Sequence, residues 1–179
     1  MRYFRIIFLL NVLLFTVSCA SVPRQPELSY QKNALHIEGD FTFDGMEMPL
    51  VIDIEAADFG ADGRMLSRDA AVTVGEGSVL EGVKFEFADG KLYVSSGDLR
   101  IPLEDTASAE RITDILSLFS VREECYHSAE ESANGQEVSY RDGGNSVTVT
   151  LSHDGMPTDI TASADGHVIS ARIGSIEIK

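Results

Sequence analysis

Residues 85–103 read FEFADGKLYVSSGDLRIPL, and this stretch decides the class of fold. Apolar and polar side chains alternate on both sides of the Asp89-Gly90 pair. Alternation with a period of two places one set of side chains on a single face of a strand. Asp-Gly favours the tight type I′ turn that joins antiparallel strands. The stretch therefore predicts two paired strands, with a further strand at its carboxyl end.

The same pattern continues through the rest of the chain. Five further Asp-Gly pairs stand at residues 44–45, 62–63, 142–143, 154–155 and 165–166. Apolar runs of period two flank them, and this suits an antiparallel meander that is packed on one face and wet on the other. A wide sheet of this kind twists and curls. We predict a mainly β (α+β) domain over residues 34–179, a curled antiparallel meander sheet of about 10–11 strands.

One segment breaks this period and predicts a helix. Between Asp105 and Phe119, apolar residues recur at helical spacing, and Asp105 or Thr106 can cap the start. We predict one inserted helix, after about six strands and before four or five more, that covers the concave face of the sheet. The polar residues 120–136 are predicted to form a surface loop or a frayed helical end.

The amino terminus predicts export. Arg2 and Arg5 precede a short apolar run at 6–15, which ends in small or modest residues before Cys19. This order is typical of a secretory signal, and the run is shorter than the ~20 apolar residues of a spanning helix. The cysteine resembles the lipobox of bacterial lipoproteins, which implies a signal peptide at 1–18 and lipidation, palmitate included, of Cys19. The alternative is an ordinary signal peptide with a chance cysteine.

The lipobox resemblance implies a membrane partner through a lipid anchor at Cys19, since several acyl chains hold a protein stably at a bilayer. Residues 19–33, with Pro23 and Pro26, are predicted to form a tether. The expected location is the cell envelope, outside the cytoplasm. Because Ala20 rather than Asp follows the cysteine, the outer membrane is favoured in a Gram-negative source. In a Gram-positive source the anchor would lie in the cell membrane.

The formal net charge of −15 argues against two kinds of contact. Nucleic acid is excluded as a partner, because its binding requires Lys and Arg that neutralise phosphates. A basic membrane-binding patch is excluded as well, so contact with lipid is expected from the anchor. Cys125 is the one cysteine besides Cys19. We expect it to be a buried free thiol, the alternative being an intermolecular partner.

Residues 85–103 and the stretch VTVTLSHDGMPTDITAS, residues 147–163, resemble the paired strands of LolA/LolB-type lipoprotein-carrier folds. The resemblance covers about residues 34–179 and implies a half-barrel with an apolar cleft between the sheet and the helix. Two features depart from that family: residues 25–33 are short and polar where those carriers begin with a helix, and the chain has no Trp. The candidate cleft residues are Phe41, Phe43, Phe85, Phe87, Ile112, Leu116 and Phe119. The alternative is that these residues form a filled core.

Motifs for catalysis and metal binding are weak. Residues 58–69 approach an EF-hand calcium loop, with Gly63 at the sixth position, but Leu66 at the ninth and the short Asp69 at the twelfth favour a plain hairpin loop. Ser29–Lys32 matches the S-x-x-K motif without its companion motifs. The four histidines lack the spacing of a zinc site. We predict no metal, no cofactor and no enzymatic activity.

Two functions stay open at this point. In the first, the protein is a non-enzymatic, lipid-anchored lipoprotein that binds a lipid or another amphiphile in the apolar cleft. In the second, it is an interaction module that docks another envelope protein through its acidic outer face or a sheet edge, around a filled core. The two differ in whether an unfilled apolar pocket exists.

Overall fold

The computed structural model describes residues 25–56, 58–59, 65–67, 69–88, 91–103, 106–133, 135–164 and 166–179. The predicted signal peptide at 1–18 and Cys19 lie outside these residues, as does half of the calcium-like loop. Among the described residues, no helix is both long enough and apolar enough to cross a membrane.

Eleven strands form one open, curled antiparallel sheet, as the alternating pattern predicts. Its strands follow the order β8-β7-β6-β5-β2-β1-β13-β12-β11-β10-β9, and a separate two-stranded sheet pairs β3 with β4. The bounds are β1 Leu35–Phe43, β2 Met46–Ile54, β3 Asp58–Phe59, β4 Met65–Ser67, β5 Ala70–Val74, β6 Lys84–Ala88, β7 Lys91–Ser96, β8 Leu99–Pro102, β9 Tyr126–Ser132, β10 Gly135–Asp142, β11 Asn145–Leu151, β12 Pro157–Ala164 and β13 His167–Ile178.

Helical structure is sparse in the described part of the chain. The α-helix α1 spans Thr106–Ser117, and short 3-10 helices span Ser29–Lys32 and Glu123–Cys125. The expected helix is confirmed, with Ile112 and Ile115 buried in the core. It lies between six strands and five strands of the large sheet, as expected from the sequence.

The large sheet consists of two arms that meet at its centre. The first arm runs outward from β1 to β8, and the second runs outward from β13 to β9. The first and last strands of the domain join the arms, with Leu35 opposite Ile178 and Phe43 opposite Ile169. A bulge at Glu38/Gly39 interrupts this pairing. The β1–β13 pairing is therefore the seam on which the sheet depends.

The two faces of the sheet differ sharply in polarity. The face that carries the buried side chains is called the core face, and the opposite one the outer face. One row on the core face crosses six strands through Val138, Val149, Ile160, Ala171, Phe41 and Met48. The neighbouring row on the outer face reads Ser139, Thr148, Thr161, Ser170, Thr42 and Glu47. The period-two pattern is thus expressed as a wet face and a packed face.

The prediction of a surface loop at 120–136 was wrong. Strand β9, Tyr126–Ser132, lies within that segment and pairs with β10. Its residues Glu130 and Glu131 and most of their neighbours are exposed or half-buried. An edge strand with little burial on either face shows no alternation of apolar and polar residues from which it could be predicted. Its stability comes from the backbone hydrogen bonds to its neighbour.

The seam yields a first testable prediction. A Cβ atom at Gly39 would lie 2.4 Å from the carbonyl oxygen of Arg172 in β13. Gly39→Ala should therefore force the two central strands apart and lower the free energy of unfolding by about 2 kcal/mol or more in a urea titration. The control is Gly144→Ala, since a Cβ atom there meets nothing within 4 Å. Equal stability of the two variants would contradict the tight approach at the seam.

A pH-dependent contact near the ends of the seam yields a second prediction. His36 Nδ1 lies 2.8 Å from Asp53 Oδ1, and Lys179 Nζ lies 2.5 Å from the same oxygen. The hydrogen bond to Asp53 raises the pKa of His36 above 6.5. The resulting stabilisation is complete below that value and is lost as the pH rises through the raised pKa.

The substitution His36→Gln should remove this loss of stability at rising pH. Between about pH 6 and about pH 8.5, the free energy of unfolding should fall more for the unmodified protein than for the variant. For Asp53, burial raises the pKa but is outweighed by the hydrogen bonds from Lys179 and His36, so the net shift is downward. The stabilisation that comes from the lowered pKa of Asp53 is lost only as the pH falls through that lowered pKa, at more acid pH. Parallel pH profiles for the two proteins would contradict the assignment.

The open row on the core face

The seven predicted cleft residues all lie in or against one apolar cluster. Phe41 and Phe119 are fully buried, and their ring centroids lie 6.4 Å apart in a tilted arrangement. Ile112 is buried in the same cluster. The other four, Phe43, Phe85, Phe87 and Leu116, are partly buried and pack against it. The structure therefore joins these residues through a shared core.

Within that core the phenylalanines form two separate groups. Phe85 and Phe87 of β6 lie in the rows that lead through β5 and β2 to Ile37 and Leu35 of β1. Phe41 lies four residues beyond Ile37 on the same strand. The two groups share a face of the sheet but are three strands apart.

One apolar row on the core face runs from the buried centre to the open edge. The paired residues are Ile37, Ile52, Val72, Phe85, Val94 and Ile101, one from each strand of the first arm. We call this row the open row. Ile37 and Ile52 are fully buried, whereas Ile101 is 46% exposed. Its neighbour Leu99, two residues away on the same face of β8, is 62% exposed. The row thus carries apolar surface out of the core and into solvent.

Charged side chains on the outer face fix the strands that carry the open end of this row. Glu86 of β6 accepts hydrogen bonds from Lys84 at 2.7 Å and from Arg100 of β8 at 2.8 Å. These two bonds lower the pKa of Glu86 below its usual value. The guanidinium of Arg100 also lies 3.9 Å from the ring centroid of Tyr93, a cation–π contact. Because Arg100 is held on the outer face, Leu99 and Ile101 must face the other way.

The amino-terminal part of the described chain belongs to the core. Leu28 and Tyr30 are fully buried, with no solvent-accessible surface. We call residues 25–32 the strap. Residues 19–33 were predicted to form a tether, and for the strap that prediction was wrong. Two apolar residues in a polar segment gave no periodicity, so only the fold reveals that they are buried.

The strap buries polar atoms as well as apolar ones. The hydroxyl groups of Tyr30 and Tyr140 and the Nε2 atom of Gln31 are buried and find no hydrogen-bond partner among the described residues. Burial raises the pKa of Tyr30, and it raises that of Tyr140 to about 12. Burying a Leu or Tyr side chain contributes about 1.5–3 kcal/mol each, while each unsatisfied buried polar group costs about 1–3 kcal/mol. For the strap these opposing free energies are of similar size.

Two surface depressions are mainly polar. One of about 400 Å³ lies between the strap and the second arm and is lined by Pro26, Glu27, Glu131, Ser132, Gly135, Gln136, Leu151, Ser152, His153 and Gly155. The other, of about 250 Å³, lies on the outer face across the seam and is lined by Asp40, Thr42, Glu47, Asp159, Thr161, Ser170, Ala171 and Arg172.

The remaining residues that could bind a metal or act as nucleophiles do not come together in one site among the described residues. Among the described residues, no group of three or more His, Cys, Asp or Glu side chains could hold a metal ion. Cys125 is a free thiol that is partly buried. Tyr126 and Tyr140 form an edge-to-face pair with centroids 6.1 Å apart. Sequence reasoning missed this pair because it joins an unpredicted edge strand to its neighbour.

No family model and no curated protein matches this chain. Solved structures resemble its fold at low identity. A DUF1329 family protein from Desulfovibrio piger shares 11% identity with a TM-score of 0.47, over 85% of this chain and 88% of its own. A LolA superfamily protein from Nitrosomonas europaea shares 12% identity with a TM-score of 0.40, over 83% and 87%.

A third similar structure is the complex of MucA and MucB from Pseudomonas aeruginosa, with 14% identity and a TM-score of 0.41 over 84% of this chain. This chain spans about half of the matched chain, 53% of its length. A putative outer membrane lipoprotein-sorting protein domain from Vibrio parahaemolyticus is also among the similar structures, with 6% identity and a TM-score of 0.41 over 85% of this chain and 89% of its own.

The division of the phenylalanines yields a third prediction. Phe119→Ala should lower the free energy of unfolding by about 3–5 kcal/mol, because it empties a fully buried site against Phe41. Phe85→Ala should cost roughly half as much, since Phe85 is only partly buried. Urea denaturation of both variants measures the difference. A larger loss for Phe85→Ala would show that the open row is packed as tightly as the centre.

Proposed function

We propose that this protein is a non-enzymatic, lipid-anchored lipoprotein of the cell envelope that binds an amphiphile along the open row. The observation that carries the proposal is the continuous apolar row from Ile37 at the centre to Ile101 at the edge. Phe85 and Phe87 are the predicted cleft residues that lie at this end of the sheet. Phe41, Phe43, Ile112, Leu116 and Phe119 then support the site as core.

Burial and chemistry support an apolar ligand at this place. Large apolar side chains that stand together at the surface mark sites where apolar surface is covered by a partner or ligand. Leu99 and Ile101 stand beside Val94 on one face. Burial of such side chains contributes roughly 25 cal/mol for each Å² of apolar surface removed from water. An acyl chain laid along the row would supply that burial without demanding hydrogen bonds.

The path of the chain supports a roof over the core face. The chain leaves the sheet at one edge, after β8, and re-enters at the other edge with β9. Between these points it passes Phe119, whose ring packs against Phe41 on a central strand. A connection that joins opposite edges and contacts the centre crosses the core face on its way. We therefore place α1, with its buried Ile112 and Ile115, over the concave side of the sheet as its cover.

The amino-terminal sequence supports the anchor and the location. Lipidation at Cys19 would hold the domain at a membrane surface, a few residues before the strap begins. The proposed location is the outer membrane in a Gram-negative source and the cell membrane in a Gram-positive one. An anchored protein with an open apolar row meets amphiphiles at the surface where it resides.

A second candidate function is an envelope interaction module. The depression of about 250 Å³ on the outer face favours it, because Asp40 and Asp159 flank Arg172 there on neighbouring strands. A protein partner with matching charges could dock across the seam without entering the core face. This function needs no apolar ligand, and the experiment below separates the two.

Native mass spectrometry of the domain beginning at Ala20, before and after organic extraction, tests the proposal. We expect a bound mass that extraction removes and that returns when a lipid is added. Ile101→Glu should abolish this uptake and leave the fold intact, since Ile101 is already 46% exposed and a charge there stays in water. Phe85→Glu should abolish uptake as well, with some loss of stability.

The matched control is Thr73→Glu. Thr73 lies on the outer face of β5 opposite Lys84, so a charge there leaves the open row untouched. Uptake by Thr73→Glu should equal that of the unmodified domain. A folded domain that carries no mass and takes up no lipid would refute amphiphile binding and favour the interaction module, for which pull-downs from envelope extracts are the next measurement.

A further inference from the structure

Six neighbouring strands each present one hydroxyl side chain in a single row on the outer face. The row runs from β1 to β9 through Thr42, Ser170, Thr161, Thr148, Ser139 and Ser128. We call these six residues the hydroxyl row. Because neighbouring strands lie about 4.8 Å apart, hydroxyl groups recur at that interval across the sheet. The outer face of the seam and the second arm is therefore a regular array of small hydrogen-bonding groups.

The depression of about 250 Å³ lies at the end of the hydroxyl row that crosses the seam. Part of its lining comes from three members of the row, Thr42, Ser170 and Thr161. The adjoining row on the outer face supplies two carboxylates and one guanidinium from the same three strands, those of Asp40, Asp159 and Arg172. Hydroxyl, carboxylate and guanidinium groups thus meet in one depression.

A β-bulge lies directly beside this depression. The pairing of β1 with β13 shifts between Glu38 and Gly39, which leaves Gly174 of β13 as the extra residue. Further along the two strands, Asp40 pairs with Arg172. A bulge bends its strand, increases the local twist and re-aims neighbouring side chains, and bulges are common beside functional sites. The bulge is a physical reason for an indentation at this place in an otherwise regular face.

The charged side chains of the depression are available to a ligand. Asp40, Asp159 and Arg172 are exposed, and the described residues give none of these three side chains an ion pair or a hydrogen bond. On the outer face of the first arm, by contrast, Arg100 is bound to Glu86 at 2.8 Å. The hydrogen-bonding groups of the depression therefore face solvent rather than one another.

The composition of the depression argues against two classes of ligand. The core of a protein interface is enriched in aromatic residues and Met and depleted of Ser, Asp and Glu, whereas the described lining is the reverse. An anionic ligand would face Asp40, Asp159 and Glu47 with Arg172 as the one cation of that lining. A neutral sugar has the matching chemistry, because its hydroxyl groups donate to carboxylates and accept from guanidinium and hydroxyl groups.

We propose that the outer face binds a neutral glycan chain, with one sugar ring in the depression and the following sugars along the hydroxyl row. Asp40 and Asp159 accept hydrogen bonds from the hydroxyl groups of that ring, and Arg172 donates hydrogen bonds to its oxygen atoms. The volume of about 250 Å³ is below the roughly 300–1,000 Å³ of a pocket for a drug-sized ligand, which suits a single ring. Since the open row lies on the opposite face, this site goes beyond the proposed function and does not depend on it.

Isothermal titration calorimetry of the full chain in lipid nanodiscs tests the site. Cellohexaose and chitohexaose are the neutral probes, and hexagalacturonate is the anionic comparison. We expect saturable binding of at least one neutral hexamer. Hexagalacturonate should bind about tenfold more weakly or worse, because its carboxylates meet Asp40, Asp159 and Glu47.

Two variants assign the contacts. Arg172→Gln removes the guanidinium and should weaken binding of the neutral hexamer by about tenfold or more. Thr161→Val removes one hydroxyl group at nearly constant shape and should weaken binding about fivefold. The matched control is Thr73→Val, on the outer face of β5 and outside the hydroxyl row, which should bind like the unmodified chain. Since Thr161 and Arg172 are exposed, the urea midpoint of each variant should equal that of the unmodified chain.

Each outcome decides the proposal. A chain that binds neither neutral hexamer overturns glycan binding and leaves the depression to the protein partner of the second candidate function. Equal affinity in Arg172→Gln, Thr161→Val and Thr73→Val overturns this site, and hexagalacturonate bound as tightly as the neutral hexamers overturns the assignment to a neutral glycan. Lipid uptake by Arg172→Gln, measured by native mass spectrometry, should equal that of the unmodified chain. The glycan site and the amphiphile site therefore fail or stand separately.

Discussion

The pairing of β1 with β13 is the constraint on which the rest of the structure depends. These strands lie at the two ends of the described domain, and every other strand of the large sheet is joined to one of them through its neighbours. The seam also carries the bulge at Gly39, where the backbones approach too closely for a side chain. Since the seam closes the longest loop in the domain, it depends on the core that both arms build around it.

The two arms share the same alternation of apolar and polar residues but differ in how far their apolar side chains are buried. In the second arm, the row from Val138 to Phe41 is buried throughout, and Leu28 and Tyr30 of the strap belong to the same core. In the first arm, the corresponding pattern leaves the core after Val72 and reaches solvent at Ile101. The difference lies in what covers each arm, because the strands themselves have similar alternation. This asymmetry is why the open row, rather than the sequence-predicted cluster as a whole, is the better candidate site.

Much of the fold could be predicted, and the failures have physical causes. Asp-Gly turns and alternation predicted the antiparallel sheet, and the spacing of Ile112, Ile115 and Phe119 predicted the helix, since both are local signals. Strand β9 was missed because it lies at an edge with little burial. Leu28 and Tyr30 were assigned to a tether because burial by distant residues leaves no local period. That Phe41 and Phe85 line one cleft stays a prediction, and the register puts them in separate rows of one face.

The sequence by itself determined most of the secondary structure, the polarity of each face and the acidic character of the surface, because each is set by neighbours along the chain. Only the tertiary structure decided which strand neighbours which, that the first and last strands meet, and where the apolar face emerges into solvent. Those features depend on contacts between residues far apart in the chain, such as Leu35 with Ile178 or Phe41 with Phe119. The same apolar alternation is buried at Ile37 and Ile52 and, among the described residues, exposed at Ile101.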